Sequence, residues 1–298
     1  MGDDRDRGHE SPSLRALNFR FGVRTEDEVL GRRVDALMAG LRDCGPVEHW
    51  YALTASASVP GAVDLTRNGR PVALGQRASD AVGWLVWDVN RAAADASGEY
   101  LLFHAGAVQL PIDRGGNGSG VLLPGASGSG KSTLSAGLVG AGLGYLTDEL
   151  VALDLTSGQL LPYPKPITVK PGSFAALRDV STPGGRGGGD GSGEQEWHLA
   201  VGDGALGRVG DACRPEFVVL PRYEPGAPTR LERLSETRVF LELALHAVNF
   251  TDHGDAGVEA LGALVAGCEC AVLTMSDLDE ACRLVLDFVG LREAQCAR

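Results

Sequence analysis

The sequence predicts an α/β protein of the α+β kind: a phosphate-loop domain on a mostly antiparallel or mixed sheet, preceded by a small α+β unit. Three observations carry this expectation. A strand-like run, VLLP, feeds directly into GASGSGKS at residues 125–132. The acidic pair Asp148 and Glu149 follows after one short helical segment. A hairpin pattern then comes where a doubly wound fold would place another helix.

Taken in order, residues 1–16 are polar and acidic and are expected to form a disordered tail. An N-terminal unit over 17–99 begins with the strand-like LNFRFGV. In EDEVLGRRVDALMAGLRD the apolar residues recur as on an amphipathic helix. YALTASASV and DLTRNGRPVALG follow, and Asn68 and Gly69 between β-type runs predict a hairpin. ASDAVGWLVWDVNRAAADAS places Val82, Leu85, Val86 and Val89 at helical spacing, with Trp84 and Trp87 filling in. Nothing in this unit carries obvious chemistry.

The second domain, 100–298, opens with the strand YLLFHAGAVQL, the turn DRGGNGSG and the strand GVLLPG, read as a hairpin. KSTLSAGLVGAG is a short helix. LGYLTDELVALD is a strand expected to return beside the loop's own strand, and QLLPYP pairs back across LTSG. Residues 181–196, STPGGRGGGDGSGEQE, cannot bury enough apolar surface to order alone. They read equally as a flexible loop by the active site or an inert linker. FVVLPRYEPG and TRLERLS are strands, ETRVFLELALHAVNF and GVEALGALVAG helices, and CECAVLTM a strand. SDLDEACRLVLDFVG is the last helix, with Ser276 and Asp279 as its capping box.

With 298 residues, 44% hydrophobic and 22% charged, the chain has the balance of a soluble globular protein. No apolar run is long enough to cross a bilayer, and MGDDRDRGHESPS lacks a signal-peptide core, so no membrane role and a cytoplasmic location are expected. A net charge of -12 argues against nucleic acid as a partner. It suits a basic peptide, although most acidic surfaces serve only solubility. Six cysteines make no CxxC pair and read as reduced thiols, with Cys268 and Cys270 packing on one strand face rather than holding metal.

GASGSGKS fits the phosphate-binding, or Walker A, pattern, with a strand before it and a helix after it. Gly125, Ser127, Gly128, Ser129, Gly130, Lys131 and Ser132 would turn backbone N–H groups onto phosphate oxygens, at a helix end that favours anions. Lys131 would bridge the β- and γ-phosphates of ATP, Ser132 would hold Mg²⁺, and Thr133 would reach the α-phosphate. Of the acids, Asp148 is expected to face the γ-phosphate as a base and Glu149 to bind Mg²⁺. Consecutive residues of a regular strand face opposite ways, so the two carboxylates are expected to do different jobs. The blander reading is that the pair marks a strand exit.

The run from His104 to Phe174 resembles the C-terminal kinase domain of HPr kinase/phosphorylase and the wider HPr-kinase-like family. The matching parts are FHAGAV, VLLPGASGSGKSTL, GYLTDELVALD and PYPKPITVKPGS. The resemblance implies a fold similar to that of phosphoenolpyruvate carboxykinase and serine phosphorylation on a protein or peptide. Relatives in biosynthetic clusters for ribosomally made peptides, lasso peptides among them, act on the peptide. His104 matches the family's histidine ahead of the loop, where it would approach the γ-phosphate or polarise Asp148. Lys165 and Lys170 stand where relatives carry basic residues and would contact phosphate or substrate. The Glu-Val-Arg-Gly signature tied to dephosphorylation is missing, so phosphorylase activity is not expected. The N-terminal unit does not resemble the family's regulatory domain, so HPr itself is not the expected acceptor.

The expected function is therefore ATP- and Mg²⁺-dependent transfer to a Ser or Thr hydroxyl of a peptide or protein. A small-molecule kinase and a nucleotide-gated peptide-binding protein are the competing readings. Arg208 and Arg214 are weaker phosphate candidates, and Tyr145 and Trp197 read as core. The sequence leaves open a homo-oligomer, the acceptor's identity and the nucleotide preference.

Overall fold

Strand pairing begins at His9, inside the stretch expected to be a tail. In the computed structural model, which describes residues 8–112, 116–177, 196–202 and 206–291, β1 (His9–Glu10) and β2 (Leu14–Ala16) both pair antiparallel with β3 (Phe19–Thr25). Burial is the reason: Leu14 and Ala16 are at most 1% exposed, two residues apart on one strand face. The expected disorder thus fails for residues 8–16.

Asp27 caps α1 (Glu28–Leu37), its carboxylate accepting from the Val29 and Leu30 N–H groups at 2.9 and 3.1 Å. β4 (His49–Ala55) lies parallel to β3, and β5 (Val63–Arg67) and β6 (Arg70–Gln76) complete a six-stranded sheet. Asn68 and Gly69 have φ of 50° and 76°, the two left-handed residues of a type I′ turn, as the dipeptide predicts. α2 (Ala78–Ala96) packs its Ala81, Val82, Leu85 and Val89 stripe on this sheet, and Trp84 and Trp87 remain 41% and 54% exposed.

The second sheet is built from β7 (Leu101–Gln109), β8 (Gly120–Pro124), β9 (Gly144–Thr147), β10 (Leu150–Asp154) and β11 (Gln159–Leu161). Beyond the two-stranded ribbon β12 (Ile167–Val169) and β13 (Trp197–Leu199), the chain adds β14 (Arg208–Val209), β15 (Pro215–Tyr223), β16 (Arg230–Arg233) and β17 (Glu269–Met275). Nine strands join in the order β11-β10-β7-β8-β15-β17-β16, with β9 on β7 and β14 on β9. The β8/β15, β15/β17 and β9/β14 pairs are parallel and the rest antiparallel, so the sheet is mixed, as expected. No helix among the described residues is long and apolar enough to cross a membrane.

Side-chain alternation sorts the layers. On β7, Phe103, Ala105 and Ala107 face α4 (Glu236–His246) and α5 (Phe250–Ala266), whose Val239, Leu243 and Leu261 share their core. Val108 faces the other way, into a core with α3 (Lys131–Gly140) and α6 (Leu278–Phe288). Leu102 is on that second side too, yet it packs with Tyr51, Leu85 and Val89 of the N-terminal unit. His104 therefore sits between the N-terminal unit and α3. Gly106 lets α3 approach, because a Cβ there would meet Ser135 Oγ at 2.8 Å.

Four expectations change in detail. The strand expected across the acidic pair is broken at Asp148 and Glu149, into β9 and β10. Both pieces pair with β7, so β7 intervenes between the acids and the loop's strand β8. The last helix is capped not by the Ser276 box but by Asp277, whose carboxylate accepts from the Glu280 N–H at 2.8 Å. α5 starts at Phe250 and kinks at Gly254, where φ is 52°. The Gly-rich segment 181–195 lies outside the described residues.

Candidate active site

β7 is the strand that assembles the site. Its Ala105 pairs with Pro124, the last residue before the glycine loop, and its amide donates to the Glu149 carbonyl at 3.1 Å. Loop and acids thus flank one point on β7, two ladder spacings apart, roughly 10 Å. That separation leaves room for phosphates between them. Lys131, Ser132, Asp148, Glu149 and His104 all line one cavity of about 730 Å³, a size typical of ligand sites.

The loop is shaped for an anion. Gly128 and Gly130 have φ of 85° and 94°, which L side chains rarely adopt. At Gly128 a Cβ would meet nothing within 4 Å, and the residue lines the cavity, so a side chain would occupy the ligand's room. Gly130 is the N-cap of α3 and supplies no side-chain cap, so the helix's first-turn N–H groups keep their demand for acceptors. Ser129 Oγ is buried without a partner. Lys131 is 6% exposed, and its ammonium donates to the Gly125 and Ala126 carbonyls at 2.5 and 2.9 Å. Burial pulls its pKa down to about 8, against the opposing charges of Asp148 and Glu149.

His104 Nε2 stands 3.3 Å from Lys131 Nζ. Burial, then the Lys131 charge, push the imidazole below the usual histidine range. It is neutral at pH 7, and Nε2 is placed to accept from the ammonium. The Ser127 hydroxyl accepts from the exposed Lys170 at 2.9 Å, which keeps that lysine at the cavity. Thr133 donates to Ser173 Oγ at 2.7 Å.

The two carboxylates are unlike. Asp148 is 1% exposed and Glu149 39%. Asp148 Oδ1 receives Lys165 at 2.7 Å and the Tyr145 hydroxyl at 2.8 Å, while Oδ2 has a long contact from the Thr168 N–H at 3.4 Å. Lys165 also reaches Glu149 Oε2 at 3.2 Å and the Pro166 carbonyl at 3.1 Å. An ammonium has only about three hydrogens to give. Burial opposes its charge, yet Asp148 and Glu149 outweigh that and hold its pKa above the ordinary lysine value.

This corrects the expectation that Lys165 contacts phosphate or substrate. It is 1% exposed, does not line the cavity, and has its hydrogens committed to the two acids and the Pro166 carbonyl. Lys170 does line it. Arg208 and Arg214 do not. Tyr145 is core, as expected, but also anchors Asp148, and Trp197 stacks on Phe174 at 3.6 Å.

Sequence reasoning missed Trp87, His198, Tyr223 and Asp277, which also line the cavity. It missed His246, which lies close enough to Lys131 for that charge, after burial, to lower its pKa. No motif marks any of them.

Among the described residues no cluster of three or more His, Cys, Asp or Glu could cage a metal. Magnesium needs no such cage when phosphates and water complete its shell. The half-exposed Glu149 and the Ser132 hydroxyl, both lining the cavity, form a partial donor set that fits it.

No family model matches the chain, and neither does any curated protein. Among solved structures, the HPr(Ser) kinase/phosphatase from Coxiella burnetii aligns with 63% of this chain and 95% of its own, at 14% identity and a TM-score of 0.27. A superposition that loose carries no argument for fold or activity.

Proposed function

We propose that the chain is an ATP- and Mg²⁺-dependent kinase that phosphorylates a serine or threonine hydroxyl of a peptide or protein. A ribosomally made peptide natural product falls within that class, and a cytoplasmic setting, where ATP is available, goes with it. The observation that carries the reading is convergence. An uncapped helix start, a lysine and two carboxylates of different exposure line the same cavity.

The loop N–H groups would hold the triphosphate, and Lys131 would exchange its loop carbonyls for β- and γ-phosphate oxygens. His104, neutral, would keep the ammonium aimed by accepting one of its hydrogens. Lys170 would offset charge on the phosphoryl group in flight. Asp148 would take the acceptor's proton on Oδ2, the oxygen not engaged by Lys165 and Tyr145. Lys165 holds that carboxylate in place. The acceptor oxygen forms a bond to the γ-phosphorus, the bond from that phosphorus to the β–γ bridging oxygen breaks, and ADP leaves with the electron pair. Mg²⁺ held by Ser132 and Glu149 would supply neutralising charge for the leaving oxygens.

One observation favours a second division of labour. Asp148 is nearly inaccessible while Glu149 is open, which would make Asp148 a positioning residue and Glu149 the base.

The test is intact-mass analysis of serine and threonine peptides after incubation with protein, ATP and Mg²⁺. Addition of one phosphate to a peptide hydroxyl is expected. Phosphate appearing only on small alcohols or amino acids would support a small-molecule kinase. ATP binding with no acceptor modified would leave only a nucleotide-gated binding protein.

A further inference from the structure

Tyr223, Met275 and Leu278 line the phosphate cavity, yet phosphoryl transfer uses none of them. The sheet explains where they stand. β8 has β7, with the acids beyond it, on one side and β15 on the other, and β17 follows β15. β8, β15 and β17 run parallel, so Pro124, Tyr223 and Met275 finish their strands at the same edge. The carboxyl ends of parallel strands are where α/β sheets receive nucleotides. Alternation puts Tyr223 on the face of Val219, which packs with α3 and α6, as does Met275. The tyrosine is pinned against the glycine loop by its backbone. Its N–H donates to the Ser129 carbonyl at 3.1 Å, and the Glu224 N–H donates to the Met275 carbonyl at 3.0 Å. A Cβ on Gly130 would collide with the Met275 methyl group and lie 3.6 Å from Tyr223 Cβ. Tyr223 is nonetheless 51% exposed.

We infer that the Tyr223 ring is the platform on which the base of the bound nucleoside triphosphate stacks, with Leu278 as an apolar flank. The inference rests on the reading of the glycine loop as a triphosphate site and says where the rest of that molecule goes. With the terminal phosphate turned towards the acids beyond β7, the nucleoside leaves the loop on the opposite side, over the end of β15. Every base has an apolar π-face, which an aromatic ring covers well. The platform is set before the ligand arrives, which lowers the cost of ordering it on binding. The bonds from Tyr223 to Ser129 and from Glu224 to Met275 hold its strand end, and the Ser276 hydroxyl donates to the Ala227 carbonyl at 2.7 Å, tying in the turn that follows.

Titration calorimetry on the full chain with Mg²⁺ tests this, using two ligands: a non-hydrolysable ATP analogue and inorganic triphosphate. The triphosphate fills the loop and carries no base. Tyr223→Ala is expected to weaken the analogue about tenfold, the lower part of the range for base stacking on an aromatic side chain, and to leave the triphosphate alone. Tyr223→Phe should bind the analogue as the unchanged protein does, since the ring suffices. Both variants keep the main-chain bond to Ser129, so damage to the loop would show as equal loss of the two ligands. Equal loss overturns the inference. So does a preference for the analogue over triphosphate that survives in Tyr223→Ala, because the base then lies elsewhere. Failure of the unchanged protein to bind either ligand would remove the triphosphate site and the kinase reading together with the platform. Tyr223-dependent binding of the analogue with no peptide phosphorylated would keep the platform and sink the kinase.

Discussion

Lys131 carries its charge into a place where water has largely been removed, and its pKa falls to about 8 as a result. Phosphate oxygens would restore the lost stabilisation and raise that pKa again. Binding therefore favours the protonated lysine. Below about pH 8 the free protein already has it and nucleotide affinity should be flat. Above about pH 8 a proton must be taken up on binding, and affinity should fall by up to about tenfold per pH unit. Titration calorimetry with a non-hydrolysable ATP analogue from about pH 6.5 to 9.5 reads this slope, and Lys131→Arg should abolish it, since arginine stays charged throughout. A flat profile in the unchanged protein would contradict the placement. The loop residues were legible in the sequence because their pattern is nearly all backbone chemistry. The role of Lys165 was not. PKPITVK reads as a strand edge, and only the pairing of Asp148 and Glu149 around its ammonium makes burial tolerable.

At the scale of elements, the strands and helices near the loop were readable from apolar periodicity and glycine punctuation. Two features were not. GYLTDELVALD reads as one strand, and its polar run Thr147-Asp148-Glu149 is compatible with an exit without fixing a break. The break comes from the partner: β7 pairs with β10 from Leu101 to His104 and with β9 from Ala107 onward, with a register shift there. That kink frees Asp148 and Glu149 from strict alternation, so both can reach Lys165. The order of strands was the second. Two adjacent hairpin-like segments imply adjacent strands, and the sequence does not record that α3 carries the chain over β7 rather than to its near side.

At the scale of the molecule, the unit over 17–99 reads as chemically silent, yet α2 supplies Trp87 and Gly83 to the cavity. Long-range packing of this kind leaves no local signature. The two sheets also share one core, in which Leu102, Leu150, Ala152 and Tyr163 pack with Leu14, Tyr51, Leu85 and Val89. A cut near residue 99 would expose that apolar surface on both sides. The full chain should therefore unfold in one transition, with tryptophan fluorescence and far-ultraviolet circular dichroism coincident in urea. Two separated transitions would show that the N-terminal unit stands alone and that the cavity is open to rearrangement.

The geometry comes down to a carboxylate held across a cavity from the lysine of an anion-binding loop. Single-turnover transfer to an acceptor peptide, measured for Asp148→Asn beside the unchanged protein with nucleotide affinity as the control for folding, tests it most directly. The account predicts transfer slower by at least about a hundredfold, the usual range for losing a positioned base, with ATP-analogue affinity preserved. Turnover at the normal rate in Asp148→Asn would contradict it.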